Sequence, residues 1–150
     1  MEKKDLKPAG VFKYFEEICQ VPRPSKKEEK MIAYLKAFGA KHNLETKVDE
    51  AGNVLIKKPA TPGKENLQTV VLQSHIDMVC EKNNDVQHDF LTDPIETEID
   101  GEWLKAKGTT LGADNGIGVA TELAILADDS IEHGPIECLF TVDEETGLTG

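Results

Sequence analysis

One apolar run near the end of the printed sequence constrains the fold more than any other feature. Residues 136–142 (Ile-Glu-Cys-Leu-Phe-Thr-Val) have the length and composition of a strand that is buried in a sheet. Two adjacent glutamates, Glu144 and Glu145, follow this run after one residue. Charges at the mouth of a buried strand lose part of their hydration, so we expect them to face a cation, a partner or a ligand.

Two earlier stretches have the same form. Residues 70–74 are mostly apolar and run into His75 and Asp77, and residues 109–113 lead into Asp114. In α/β sheets, ligands collect at the carboxyl ends of the strands. The sequence therefore predicts that the three stretches converge on one metal site.

The remaining pattern predicts an α/β fold, in which helices flank a sheet. The expected elements are helices over about 8–20, 25–42 and 114–128, hairpins over 44–58 and 95–105, and buried strands at 70–75 and 136–142. Ser25 and Glu28 have the spacing of a capping box, which predicts that the second helix opens at Ser25. Residues 78–94 are polar and weakly patterned, and loops of that length are often functional.

Charge and composition exclude several classes of partner. The 150 residues include 28 acidic and 17 basic side chains, so the net charge is −11. This balance disfavours nucleic acid or an anionic membrane as the main partner. No run approaches the roughly 20 apolar residues of a membrane span, and no signal peptide is visible, so the cytoplasm is the expected location. The three cysteines lack CxxC spacing, which favours free thiols.

The polar residues that follow these runs suit metal-dependent hydrolysis. His75 offers a nitrogen ligand, and Asp114 and Glu145 offer carboxylate oxygens to a divalent cation. Asp77 shares a strand face with His75, so it could accept the second N–H of the imidazole. Glu144 and Glu145 would point opposite ways in extended backbone. One could then bind metal while its neighbour acts as a general base on water.

Each of these residues also has a simpler interpretation. His75 could be a hydrogen-bonded core histidine, Asp114 a helix N-cap, and the glutamate pair a solvated strand exit. Taken singly, these roles are common. Three such motifs in one chain favour the metal site over all of them. A phosphate loop around Gly112 and Gly116 is rejected because the lysine and hydroxyl that it needs are absent at the required offsets.

The motifs also resemble a known superfamily. Residues 74–79 (Ser-His-Ile-Asp-Met-Val), 112–116 (Gly-Ala-Asp-Asn-Gly) and 143–147 (Asp-Glu-Glu-Thr-Gly) are similar to the cocatalytic-zinc aminopeptidases, carboxypeptidases and aminoacylases. Residues 75–82 and 108–118 resemble more closely the aminoacyl-histidine dipeptidases, also called cytosol non-specific dipeptidases. The motifs occur in the right order and extend over essentially the whole chain.

This resemblance implies a role for each site residue. His75 would bind one zinc ion, Asp114 would bridge two, and Glu145 would bind the second. Glu144 would be the general base, and Asp77 would position His75. Manganese and cobalt are alternatives to zinc, since they also suit nitrogen and oxygen ligands. The implied substrates are unblocked dipeptides, including those that end in histidine. The alternatives are N-acyl amino acid deacylation, or an inactive fragment that serves as a binding module.

The resemblance also implies an expectation about length, because members of the family are several times longer. Residues 1–150 would be the N-terminal part of the metal-binding catalytic domain, with an incomplete sheet. The rest of that domain, the further metal ligands and a dimerisation domain would lie beyond Gly150. Such a segment is expected to be inactive alone, and the full-length protein is expected to be a homodimer.

Overall fold

The fold is described for residues 2–150 from a computed structural model. After a short 3-10 turn at Lys3–Asp5, the helices are α1 (Ala9–Cys19), α2 (Glu29–Lys41) and α3 (Ala113–Ala127). The strands are β1 (Glu45–Val48), β2 (Val54–Lys58), β3 (Val70–His75), β4 (Thr97–Asp100), β5 (Trp103–Ala106) and β6 (Ile136–Thr141). Their order along the chain agrees with the sequence pattern, and the predicted α/β class with helices flanking a sheet is confirmed.

The main sheet brings the ends of two distant strands together. Its strand order is β1-β2-β6-β3, and β4 and β5 form a separate hairpin. β6 runs antiparallel to β2 but parallel to β3, and His75 pairs with Thr141. Parallel neighbours end at the same edge of a sheet, so His75 and the residues after Thr141 emerge side by side.

The core lies between this sheet and the helices. Helix α1 packs on α3, α3 packs on β3, and α2 contacts β1 and β2. Helices and sheet both contribute the largest fully buried side chains: Phe15, Ile18, Met31, Leu35, Ile56, Ile76, Leu123 and Phe140. Burial of this apolar surface is the main force that holds the edge of the sheet and the start of α3 in place.

Helix α2 begins later than its capping signal predicts. The prediction that it opens at Ser25 is wrong, since its first residue is Glu29. The hydroxyl of Ser25 donates instead to Asp77 Oδ2 at 2.7 Å, and Glu28 accepts from the backbone of Lys26 at 3.0 Å. A partner that is distant in sequence has taken the hydroxyl that local capping would use.

The start of α3 is irregular, and this frees one carboxylate. Gly112 has a left-handed φ of 70°, and Asp114 and Asn115 have non-helical dihedrals. The Asn115 Oδ1 accepts from the backbone N–H of Gly118 at 3.2 Å, as the side chain of an N-cap does. Asn115 therefore caps the regular part of α3, and the Asp114 side chain, which is 87% exposed, does not.

Among residues 2–150, no helix combines the length and the hydropathy that a membrane crossing requires. Cys19 and Cys138 are buried free thiols, and Cys80 is a half-buried one. Val70 and Val71 on the outer strand β3 are 54% and 57% exposed.

Candidate metal centre

Three side chains from three distant segments meet at the carboxyl edge of the sheet. His75 ends β3, Asp114 lies at the start of α3, and Glu145 lies in the turn after β6. One ligating atom from each lies within 4.8 Å of the other two. The His75 Nε2 is 3.1 Å from Asp114 Oδ1. An imidazole nitrogen with two carboxylates is a donor set that suits zinc and similar divalent cations.

The electrostatics of the group also fit a cation. Partial burial raises the pKa of Glu145, and the negative charges of Asp114, Glu144 and Asp77 raise it further, while His75 acts in the opposite direction. Like charges this close disfavour one another's ionised form. A divalent cation among them would relieve that repulsion, so the residues present fit a metal.

Asp77 contacts the imidazole of His75 at Nδ1, while Asp114 lies at Nε2. His75 is 6% exposed, and its Nδ1 lies 3.2 Å from the Asp77 backbone oxygen and 3.3 Å from Asp77 Oδ1. A proton on Nδ1 can be donated to either oxygen. Nε2 then presents its lone pair on the side where Asp114 lies, which is the tautomer that a metal ligand requires.

The same carboxylate fixes the glutamate pair. Asp77 is fully buried; its Oδ1 accepts from the Glu144 N–H at 3.0 Å, and its Oδ2 accepts from the Glu145 N–H at 3.2 Å. Burial alone would raise the pKa of Asp77. The hydrogen bonds from Ser25 and the two backbone amides, together with the nearby His75, outweigh burial and hold that pKa below its usual value. Asp77 thus stays ionised and ties His75 to both glutamates.

Glu144 lies at the open side of the group. Its Oε2 is 3.8 Å from His75 Nε2, and its side chain is 36% exposed. Asp143, in the left-handed region at φ 48°, turns the chain after β6, so Glu144 and Glu145 both come close to His75. The carboxylate of Glu144 lines an open cavity of about 600 Å³ together with His75 and Asp114. A cavity of this size admits a small molecule.

A second group of carboxylates, buried beside the His75, Asp114 and Glu145 group, stabilises the turn that carries the glutamate pair. Glu28, Asp77 and Asp143 are all buried, with oxygens within 4.8 Å of one another. Glu28 Oε1 accepts from the Asp143 N–H at 2.9 Å, and Asp143 Oδ1 accepts from the Thr146 hydroxyl. These oxygens already accept hydrogen bonds from the protein, and the bonds hold the turn that carries the glutamate pair. Sequence reasoning missed this role of Glu28, because its capping-box spacing pointed to a local partner.

A comparison with known protein families identifies the family to which this chain belongs. Residues 71–150, just over half of the chain, match the family described as Peptidase family M20/M25/M40. The chain belongs to this family. The matched segment holds the end of β3, the start of α3 and the glutamate pair. Peptidases of family M20 are metal-dependent.

Individual relatives within the family agree. The chain is 51% identical over 149 residues to the cytosol non-specific dipeptidase of Escherichia coli (strain K12), covering 99% of this chain and 31% of that protein. It is 55% identical to an aminoacylhistidine dipeptidase structure from Vibrio alginolyticus, with a TM-score of 0.96. That match covers 100% of this chain and 31% of the Vibrio alginolyticus chain. The chain is also similar to an aminopeptidase PepT structure from Bacillus cereus, with 25% identity and a TM-score of 0.75. That match covers 92% of this chain and 37% of the Bacillus cereus chain.

Two conclusions follow from these relatives. The resemblance to the aminoacyl-histidine dipeptidases that the motifs carry is confirmed. The chain spans about a third of the length of the relatives that it matches.

Proposed function

We propose that this M20-family chain is part of the catalytic domain of a metal-dependent dipeptidase. The observation that carries the proposal is the meeting of His75, Asp114 and Glu145 within 4.8 Å, from segments that lie far apart in sequence. The dipeptidase names of two relatives support the substrate class. The word cytosol in one of those names supports a cytoplasmic location. The homodimer stays a prediction.

In this proposal the ligand set holds two divalent cations. His75 would bind one, Glu145 would bind the other, and Asp114 would be shared by both. Zinc is the proposed metal, while manganese and cobalt suit the same donors. The chemistry that such cations supply when bound is polarisation of the scissile carbonyl and a lower pKa of the attacking water.

Glu144 would move the proton in this reaction. Its carboxylate faces the open cavity and lies close enough to His75 to reach a water held beside the ligand set. It would accept a proton from that water and return it to the leaving amine. The hydrogen bond from the Glu144 N–H to Asp77 fixes the backbone from which this side chain projects.

The test is metal-dependent hydrolysis by the full-length gene product. The protein is stripped with a chelator, re-supplied with zinc, and assayed on β-alanyl-histidine and several plain dipeptides beside a Glu144→Gln variant. We expect activity to return with zinc and kcat to fall at least about a hundredfold in the variant, the effect of losing a general base. A zinc-loaded protein that cuts none of these dipeptides would overturn the substrate class. N-acylated amino acids would be tested next.

A further inference from the structure

Arg23 is a buried cation that none of the proposed steps uses. It lies between α1 and α2 and is 2% exposed. Its sequence context, between Pro22 and Pro24, indicates only that α1 must end there. Among residues 2–150, no carboxylate lies within ion-pair distance of the guanidinium. Burial of an unpaired charge is costly unless it is hydrogen-bonded, so its acceptors are informative.

One side of the guanidinium holds the segment that carries His75. Nη1 donates to the backbone oxygens of Ile76 at 3.1 Å and Asp77 at 3.4 Å. The Asp77 oxygen is the same atom that lies 3.2 Å from His75 Nδ1. The backbone oxygen of Arg23 also accepts from the Met78 N–H at 3.1 Å. Arg23 thus binds three consecutive residues directly after His75.

The other side holds the segment that carries Asp114. Nη2 donates to the backbone oxygen of Gly112 at 2.6 Å, two residues before Asp114. A Cβ atom added at Gly112 or at Gly116 would lie 2.6 Å from the same nitrogen. The two glycines on either side of Asp114 therefore leave the space that the guanidinium occupies.

We infer that Arg23 is a positioning residue of the metal centre: its guanidinium fixes the His75 segment relative to the Asp114 segment. The inference rests on the proposed function, because it concerns the same ligands. The planar fork of an arginine presents separate nitrogens to separate acceptors, whereas a lysine presents one nitrogen. A lysine at this position would keep the charge but would replace the fork by one nitrogen, so it could not reproduce the geometry of the arginine's hydrogen bonds to both segments.

Lys58 provides a matched control. It is a buried cation, 8% exposed, and its Nζ also donates to backbone oxygens only, those of Ile125 at 3.0 Å and Asp128 at 2.7 Å. These acceptors lie at the opposite end of α3 from Asp114. Lys58 is therefore a second buried cation that is bonded only to backbone oxygens, with comparable burial and no contact to the metal centre.

The experiment measures the zinc dissociation constant by competition with a chromophoric chelator. It uses the full-length gene product as wild type, Arg23→Lys and Lys58→Met, each shown to be folded by circular dichroism, with the Tm of the metal-free protein recorded. We expect Arg23→Lys to bind zinc about 10- to 100-fold more weakly, the usual effect of losing an outer partner of a ligand. We expect Lys58→Met to lower the metal-free Tm and to leave the zinc dissociation constant within about twofold of wild type.

The outcomes separate this inference from the proposed function. A folded Arg23→Lys variant that binds zinc as tightly as wild type overturns the positioning role alone. A wild-type protein that binds no zinc overturns both. If Arg23→Lys does not fold, Gly116→Ala takes its place. The added methyl group would lie 2.6 Å from Arg23 Nη2 and so displaces the guanidinium, while the arginine and its charge are retained. Wild-type affinity in folded Gly116→Ala overturns the role, and weaker binding supports it.

Discussion

At the scale of single residues, Asp77 shows how much one buried carboxylate can organise. It contacts the imidazole of His75, the backbone amides of both glutamates and the hydroxyl of Ser25. The sequence predicted the first of these contacts from the i, i+2 spacing, which places both residues on one face of a strand. The others involve residues that lie 52 or more positions away, and no local pattern marks them.

We expect Asp77→Asn to weaken the centre while keeping the size of the side chain. An amide at this position turns an NH2 group toward at least one of three protein donors, which costs about 1–3 kcal/mol of unfolding free energy. It also removes the anion behind His75, so we expect zinc affinity to fall about 10- to 100-fold. Urea unfolding and zinc competition check the two effects separately. Wild-type zinc affinity in the folded variant would contradict the role of Asp77.

Glu122 on α3 is a second buried carboxylate, in a quite different environment. It is 4% exposed, and its Oε2 has no hydrogen-bond partner within residues 2–150. Burial raises its pKa to about 7, while the neighbouring Ser74 and Cys138 lower it by less. The raised pKa means that the folded state holds this proton more tightly than the unfolded chain does. The stability that this proton contributes is complete below about pH 4.5 and is lost as the pH rises through 7.

This sign gives a pH-dependent prediction for Glu122→Gln. The variant cannot ionise, so its unfolding free energy relative to wild type should rise between pH 4.5 and pH 8. The upper bound on that rise is about 3 to 4 kcal/mol, since the pKa rises from 4.5 to about 7 and one pKa unit corresponds to about 1.4 kcal/mol. Urea denaturation of both proteins at pH 5 and pH 8 measures the difference. An equal difference at the two pH values would show that Glu122 does not titrate in this range.

At the scale of elements, the boundaries that sequence signals missed are the ones that long-range contacts decide. Apolar periodicity predicted the existence and order of the helices and strands. The capping box at Ser25 failed because Asp77, far away in sequence, takes its hydroxyl. On α3, the apolar spacing of the helix would place Ile117 on the inward face, yet Ile117 is 40% exposed, whereas Glu122 is buried. Amphipathic spacing predicts the buried face of a helix to within one or two positions. Tertiary packing decides which residues at the edges of that face are buried.

We expect the cap of α3 to influence stability through Asn115. Asn115→Ala removes the acceptor for the Gly118 N–H and should lower the unfolding free energy by about 1 kcal/mol. Asn115→Asp keeps an acceptor oxygen and places a negative charge at the helix N-terminus, so it should remain close to wild type. The urea midpoints of the three proteins test this. Equal loss in both variants would mean that the hydrogen bond contributes nothing.

At the scale of the whole molecule, the centre depends on strand pairing that links remote parts of the chain. Parallel pairing of β3 with β6 brings His75 beside the glutamate pair, although almost 70 residues separate them. The sequence predicted which residues follow strand ends, because polar residues after apolar runs are visible locally. It did not predict that β6 lies between β2 and β3, since strand order depends on contacts across the whole sheet.

The most direct measurement is the position of the metal in crystals of the zinc-loaded full-length gene product. Anomalous diffraction recorded on both sides of the zinc absorption edge locates the ions independently of any assumed ligands. We expect peaks about 2.0–2.2 Å from His75 Nε2 and from carboxylate oxygens of Asp114 and Glu145. Peaks confined to the buried Glu28, Asp77 and Asp143 group, or none near His75, would contradict the proposed centre.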